Sequence, residues 1–406
     1  MNPFPLLAAA SLLLATATAQ TGSRTGNQTG HHTRTGIDVL AASDCEALRG
    51  RKVGLITNHT GRTADGRRTV DVLAENENVA LVALFSPEHG WEGVLDAKVG
   101  DTRDAATGLP VYSLYGETRE PTDAMLAGVD TLVFDIQDIG CRFYTYVSTM
   151  RNCLRAAAAK KLRFVVLDRP NPIGGVRFAG PVLAADRQDF VGAHRIPVQH
   201  GMTAGELARM MVGEDGIRAD LTVIACEGWQ RADLWDRTGL CWINPSPNMR
   251  SLTQAMLYPG IGLLEGTNLS VGRGTDTPFE VVGAPWCDGV ALAAKLRAEN
   301  LPGVTFVPVR FTPDASKHKD KVCSGINVVI TDWRTFEAVR TGMHVACALR
   351  ALHPDAWETK RLDWLLKHAQ SYDAIVAGEP ADTIVATWQK ELDLFRIRRK
   401  PFLLYE

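Results

Sequence analysis

A basic excess is missing from this chain. Its 406 residues carry 44 Lys and Arg against 46 Asp and Glu, a net charge of −2. That balance argues against nucleic acid or an anionic membrane as the main partner. Metal-type cysteine spacing is missing too: the eight cysteines, at 45, 141, 153, 226, 241, 287, 323 and 347, form no C-x-x-C pair. Zinc ligation therefore has no support, and the thiols read as small buried hydrophobes with room for a bridge or two. No G-x-G-x-x-G follows the first strand pattern and no G-x-x-x-x-G-K-[ST] occurs, which removes dinucleotide cofactors and phosphate loops. Neither a G-x-S-x-G nucleophile elbow nor an H-E-x-x-H helix is present, so the common esterase and zinc-peptidase readings fall as well. No cofactor and no metal is expected.

A membrane-length hydrophobic run is also lacking. The apolar stretch at residues 6–15 is too short to span a bilayer. Followed by Ala17-Thr18-Ala19, it reads as a secretory signal (residues 1–19) cleaved after Ala19, although no Lys or Arg precedes it. Residues 20–35 repeat Thr-Gly and hold no apolar residue, the composition of a flexible leader. The expectation is export to the periplasm or beyond, without membrane insertion once the signal is removed.

What is there, from Gly36 onward, is alternation. Apolar runs at 52–57, 79–85, 130–135, 163–168 and 221–225 read as strands, with helical spacing at 67–76 and around 144–160. A further helix opens near Thr203, where Glu206 three residues on completes a capping-box signature. Strand and helix in repeated order predict an α/β fold whose parallel sheet is covered by helices, over about 36–250. Beyond that, a stretch rich in Gly, Pro and Thr (258–286) gives way to strand-like runs at 304–311 and 322–331 and helical patterns at 334–351, 359–369 and 381–394. Residues 251–406 thus read as a second, smaller α+β domain.

Four of the five strands end in polar residues: Asn58 and His59; Glu88 and His89; Asp135, Gln137 and Asp138; Asp168, Arg169 and Asn171. Right-handed crossovers point parallel strands the same way, so these ends are expected along one rim, where open α/β sheets bind ligands. The bland alternative is that Asp and Asn there only cap the following helices. The turn after the third strand adds Arg142, Tyr144 and Tyr146. Arg142 has the fork to clamp a carboxylate, or else pairs structurally with Asp138. At a spacing of two, the tyrosines are not expected to face the same core. A glycine-rich segment at 264–275 contributes Glu265, Asn268 and Arg273.

An exported cleft with carboxylates, Arg, Asn, Tyr and Trp and no cofactor signature suits glycoside hydrolysis. That reaction needs a protonated carboxyl to donate to the leaving oxygen and a second group to assist at the anomeric carbon. Glu88 is the natural acid, because an apolar strand mouth disfavours the charged form of a carboxyl; His89 would tune it or bind substrate. A non-catalytic periplasmic sugar-binding protein would use the same Arg, Asn and Trp residues and stays open as the alternative.

The motifs Leu55-Ile56-Thr57-Asn58-His59-Thr60-Gly61, Phe85-Ser86-Pro87-Glu88-His89-Gly90, Asp135-Ile136-Gln137-Asp138-Ile139-Gly140, Arg142-Phe143-Tyr144-Thr145-Tyr146, Leu167-Asp168-Arg169-Pro170-Asn171-Pro172 and Leu264-Glu265-Gly266-Thr267-Asn268 together resemble those of the exo-β-N-acetylmuramidases, glycoside hydrolase family 171. The resemblance implies a Rossmann-like domain with a smaller C-terminal domain and a cleft between them. It also implies release of terminal N-acetylmuramic acid from the non-reducing end of peptidoglycan fragments, without metal or nucleotide. By motif match Glu88 is the leading catalytic candidate, and the other motif residues are cleft candidates. The lactyl carboxylate of that sugar would call for Arg142 or Arg273. Its 2-acetamido group would serve as internal nucleophile, oriented by Asp138 or Asp135.

Overall fold

Period-two burial on either side of one sheet organises the first half of the chain. The structure, a computed structural model, describes residues 1, 32–93 and 100–406; residues 2–19 of the expected signal peptide and most of the leader lie outside the described residues. Strands β1 (Lys52–Thr57), β2 (Ala80–Ser86), β3 (Thr102–Arg103), β4 (Pro110–Ser113), β5 (Thr131–Asp135) and β6 (Arg163–Leu167) precede a two-stranded ribbon of β7 (Ala179–Val182) and β8 (Pro197–Gln199), and β9 (Asp220–Ile224) follows. The main sheet runs β3-β4-β2-β1-β5-β6-β9, parallel throughout except for the β3–β4 edge pair.

Alternate side chains feed two cores. Val53, Leu55, Leu84, Val133 and Val165 point to one face, covered by α1 (Gly36–Ala42) and α2 (Thr69–Ala74). Ile56, Phe85, Leu132, Phe134 and Phe164 point to the other, covered by α3 (Tyr146–Lys160) and α4 (Ala204–Glu214). Full burial of each such side chain contributes roughly 1.5–3 kcal/mol. With both faces covered, the strands are continuous apolar runs, which is why they stand out in the sequence. The Thr203–Glu206 capping box forms as expected at the start of α4.

Residues before Gly36 already pack against the sheet domain. Thr33 and Thr35 are buried, and Arg34 bridges to Glu227, so the last residues of the expected leader join the fold. The strands β3 and β4 escaped the sequence because they are two and four residues long.

The second half begins with α5 (Leu252–Ile261), which replaces the start of the stretch expected to be irregular. Strand β10 (Val281–Ala284) follows, then α6 (Gly289–Ala298), β11 (Val304–Phe311), β12 (Cys323–Ile330) and α7 (Ala338–Leu352). These strands form a separate antiparallel sheet in the order β10-β12-β11. Helices α5 and α7 touch backbone to backbone: a Cβ on Gly260 would lie 1.9 Å from the Ala338 carbonyl oxygen. Among the described residues no helix is long and apolar enough to cross a membrane.

The C-terminal residues return to the first sheet. Tyr405 donates its hydroxyl to Asp168 Oδ2 at 2.6 Å, and the Leu404 amide donates to Glu206 Oε1 at 2.8 Å. Phe395 packs on Phe178 at 5.4 Å between ring centres. The last residues are therefore part of the first half's packing, although they follow the second in sequence. All eight cysteines are free thiols, six of them buried.

Candidate functional site

Strand β2 delivers the first group. After Ser86 the chain turns through Pro87-Glu88-His89-Gly90, closed by a Gly90 amide to Pro87 carbonyl bond of 3.1 Å. His89 and Gly90 both take left-handed backbone, at φ of 70° and 77°. Such a conformation is uncommon for a side-chain-bearing residue and marks a constrained turn. The turn places Glu88 and His89 on a cleft of about 340 Å³. The Thr145 hydroxyl donates to Glu88 Oε2, which fixes one carboxyl oxygen as acceptor.

The β5–α3 turn supplies the cleft's aromatic wall. Tyr144 and Tyr146 both line it, with ring centres 5.0 Å apart, edge to face. This corrects the expectation that a spacing of two would part them: Tyr144 lies before the first helical residue, so helical geometry does not apply to the pair. Burial pushes both phenols up, so they remain neutral donors across the physiological range. Tyr146 donates to the Pro245 carbonyl. The Tyr144 hydroxyl, beside Ser246 and Tyr146, makes no hydrogen bond of good geometry.

The second half of the chain provides Tyr258, Glu265, Arg273 and Phe279. Arg273 Nε lies 2.6 Å from Glu265 Oε1, and its guanidinium carbon is 6.0 Å from the Phe279 ring centre. Glu88, His89, Tyr144, Tyr146, Glu265 and Arg273 are thus the predicted residues that come together.

The others turn away from this cleft. Asp135, fully buried, is ion-paired with Arg169 through contacts of 2.6 and 3.0 Å. Gln137 donates to the Asp138 and Pro170 carbonyls, while Asp138 Oδ2 accepts from the Gly140 amide at 2.7 Å and faces His200 at 3.3 Å. Asn171 and Asn268 tie down backbone, at Met202 and Ile173 and at Ala356 and Glu358 respectively. Asn58 Oδ1 accepts from the Thr60 amide and hydroxyl. His59 Nε2 meets the Asn244 carbonyl at 2.6 Å, which makes Nε2 the protonated nitrogen. Burial lowers the His59 pKa and keeps the ring neutral.

Arg142 is the sharpest departure. Rather than meeting a substrate carboxylate or Asp138, its guanidinium is buried and donates to four carbonyls, of Pro181, Ile196, Leu365 and Leu366. Burial without a paired carboxylate lowers its pKa to about 10. The motif residues look alike in sequence; the fold divides them into a cleft-facing set and a set that braces the strand ends.

Sequence reasoning missed Tyr115, Arg119, Thr145, Asp189, Phe190, Ser246, Asn248, Tyr258 and Trp364, all on the cleft. Thr145 and Tyr258 stood inside segments already singled out. Arg119 and Phe190 lie on connections with no periodicity and carry no signal. Tyr115 follows the short strand β4 that the sequence did not reveal.

Known proteins resemble this chain over most of its length. The N-terminal family of exo-beta-N-acetylmuramidase NamZ matches residues 53–253, and its C-terminal family matches residues 256–405. The chain is 44% identical over 377 residues to the peptidoglycan beta-N-acetylmuramidase NamZ of Bacillus subtilis (strain 168), covering 92% of this chain and 91% of that one. Two crystal structures of DUF1343 family proteins from Bacteroides fragilis NCTC 9343 are similar. One superposes with a TM-score of 0.87 at 38% identity, the other with 0.73 at 31%, each covering 92% of this chain and 99% of its own.

Proposed function

We propose, for a chain that belongs to the exo-β-N-acetylmuramidase NamZ family, that Glu88 is the general acid of its reaction and that the cleft holding it is the active site. The chain is a glycosidase, an exo-β-N-acetylmuramidase acting on peptidoglycan. The observation that carries the proposal is the Glu88 carboxyl itself, turned into the cleft by a left-handed turn, with Oε2 held by Thr145. With Oε2 engaged as acceptor, Oε1 is the oxygen that carries the proton toward the glycosidic oxygen. The bond from that oxygen to the anomeric carbon breaks, the leaving sugar departs as an alcohol, and water completes the anomeric carbon and restores the proton to Glu88.

Asp135 is spent on Arg169 and Asp138 Oδ2 on the Gly140 amide, and neither lines the cleft, so orienting the substrate's 2-acetamido group is not assigned to them. Tyr144, a neutral phenol on the cleft wall, is assigned that task. Release of N-acetylmuramic acid from the non-reducing end, a place in cell-wall recycling, and export to the periplasm or beyond belong to the same proposal. Mass analysis of products from a muramic-acid-terminated disaccharide tests it. Free N-acetylmuramic acid is expected from the wild type and not from Glu88→Gln over the same time. An intact disaccharide after wild-type treatment, or equal release by both proteins, overturns it.

A further inference from the structure

Charge is distributed unevenly along the cleft. Asp189 is neutralised by Lys367 at 2.7 Å, and Glu265 by Arg273 at 2.6 Å. The described residues place no carboxylate within ion-pairing distance of Arg119, the cleft's other arginine. Instead, its guanidinium carbon sits 4.1 Å from the centre of the Phe190 ring and 5.4 Å from that of Tyr115, two rings 5.9 Å apart. A guanidinium held on aromatic faces is fixed in orientation while its N–H edge stays available. That edge matches a carboxylate bidentately. Arg142 has no such edge left, because four carbonyls occupy it.

We infer that Arg119, seated on Phe190 and Tyr115, reads the lactyl carboxylate of the terminal sugar. It thereby selects muramic acid over the otherwise identical N-acetylglucosamine, which lacks that group. The inference rests on the muramidase reading of the cleft. An exposed arginine gains little from a partner in open water, but a sugar lying in the cleft covers one side of the pair and the two rings cover another.

The test compares a muramic-acid-terminated disaccharide with its lactyl methyl ester, using wild type, Arg119→Ala and Arg119→Lys. The wild type is expected to favour the acid in kcat/KM by roughly 10–100-fold, the range of a charge-assisted hydrogen bond. Arg119→Ala is expected to turn over acid and ester alike, and Arg119→Lys to fall between, since an ammonium supplies charge without the fork. Survival of the wild-type preference in Arg119→Ala overturns the inference while leaving the muramidase reading intact. Failure of the wild type to cleave the acid overturns that reading itself.

Discussion

Replacing Arg169 by Met is expected to destabilise the fold and leave substrate affinity alone. Asp135 is fully buried, and its partners are the two Arg169 contacts and the Thr69 hydroxyl. The Arg62 carbonyl also depends on Arg169, at 2.8 Å. Removing the arginine leaves a carboxylate in the sheet's interior with a single hydroxyl donor. Breaking a buried pair from one side costs about 3–5 kcal/mol. For a chain of this length, with an unfolding entropy of about 2.1 cal/mol/K per residue, that corresponds to a drop in Tm of roughly 4–6 °C. Thermal unfolding followed by circular dichroism measures it, with KM determined in parallel below the transition. The double variant Asp135→Asn/Arg169→Met is expected to recover part of the loss, because no charge is then stranded. A variant that melts with the wild type but binds substrate more weakly would falsify this reasoning, and would return Arg169 to the substrate-binding set.

Three further outcomes follow from the same geometry. Arg142→Lys cannot reach four carbonyls at once and is expected to lower stability in urea by about 2–4 kcal/mol; an unchanged midpoint contradicts the bracing role. Tyr144→Phe removes the hydroxyl assigned to the substrate, so kcat/KM is expected to fall about 10-fold while the melting temperature holds; wild-type turnover by this variant removes Tyr144 from the site. The third outcome concerns the cluster around His194. Burial alone would raise Glu214 and Asp215, but His194 with Arg398 and Arg151 outweighs it and holds both at about 2. Their unfolded values lie at about 4, so this stabilisation is complete above roughly pH 5 and lost as pH falls toward 2. His194, raised by the same two carboxylates against its burial, contributes fully below about pH 6.5 and loses its share as pH rises through its folded value. His194→Gln is expected to flatten both limbs of a Tm profile between pH 3 and 8, and an acid limb of undiminished steepness argues against the coupling.

The sheet was legible in the sequence because burial on both faces turns its strands into unbroken apolar runs, as at 52–57 and 131–135. The common rim was legible too, since parallel strands must end on one edge. What the sequence does not carry is the direction in which each polar strand end turns. Asp135 closes its strand and Glu88 follows two residues after its own, yet one is pulled inward by Arg169 and Thr69 and the other outward by a left-handed turn. The choice depends on partners 34 and 66 residues away from Asp135. The same reason hides Arg119, whose meaning comes from a ring at position 190, and the C-terminal Tyr405, which closes on a sheet built far earlier in the chain.

The central claim is that Glu88 gives a proton to the leaving oxygen, and leaving-group dependence tests it most directly. The kcat/KM of wild type and Glu88→Gln is measured on a muramic-acid-terminated disaccharide and on the 4-nitrophenyl glycoside of the same sugar. A sugar alcohol needs protonation to leave and nitrophenolate does not. Glu88→Gln is therefore expected to lose about 10²–10⁴-fold on the disaccharide and far less on the aryl glycoside. Equal losses on both substrates, or no loss on the disaccharide, contradict the assignment.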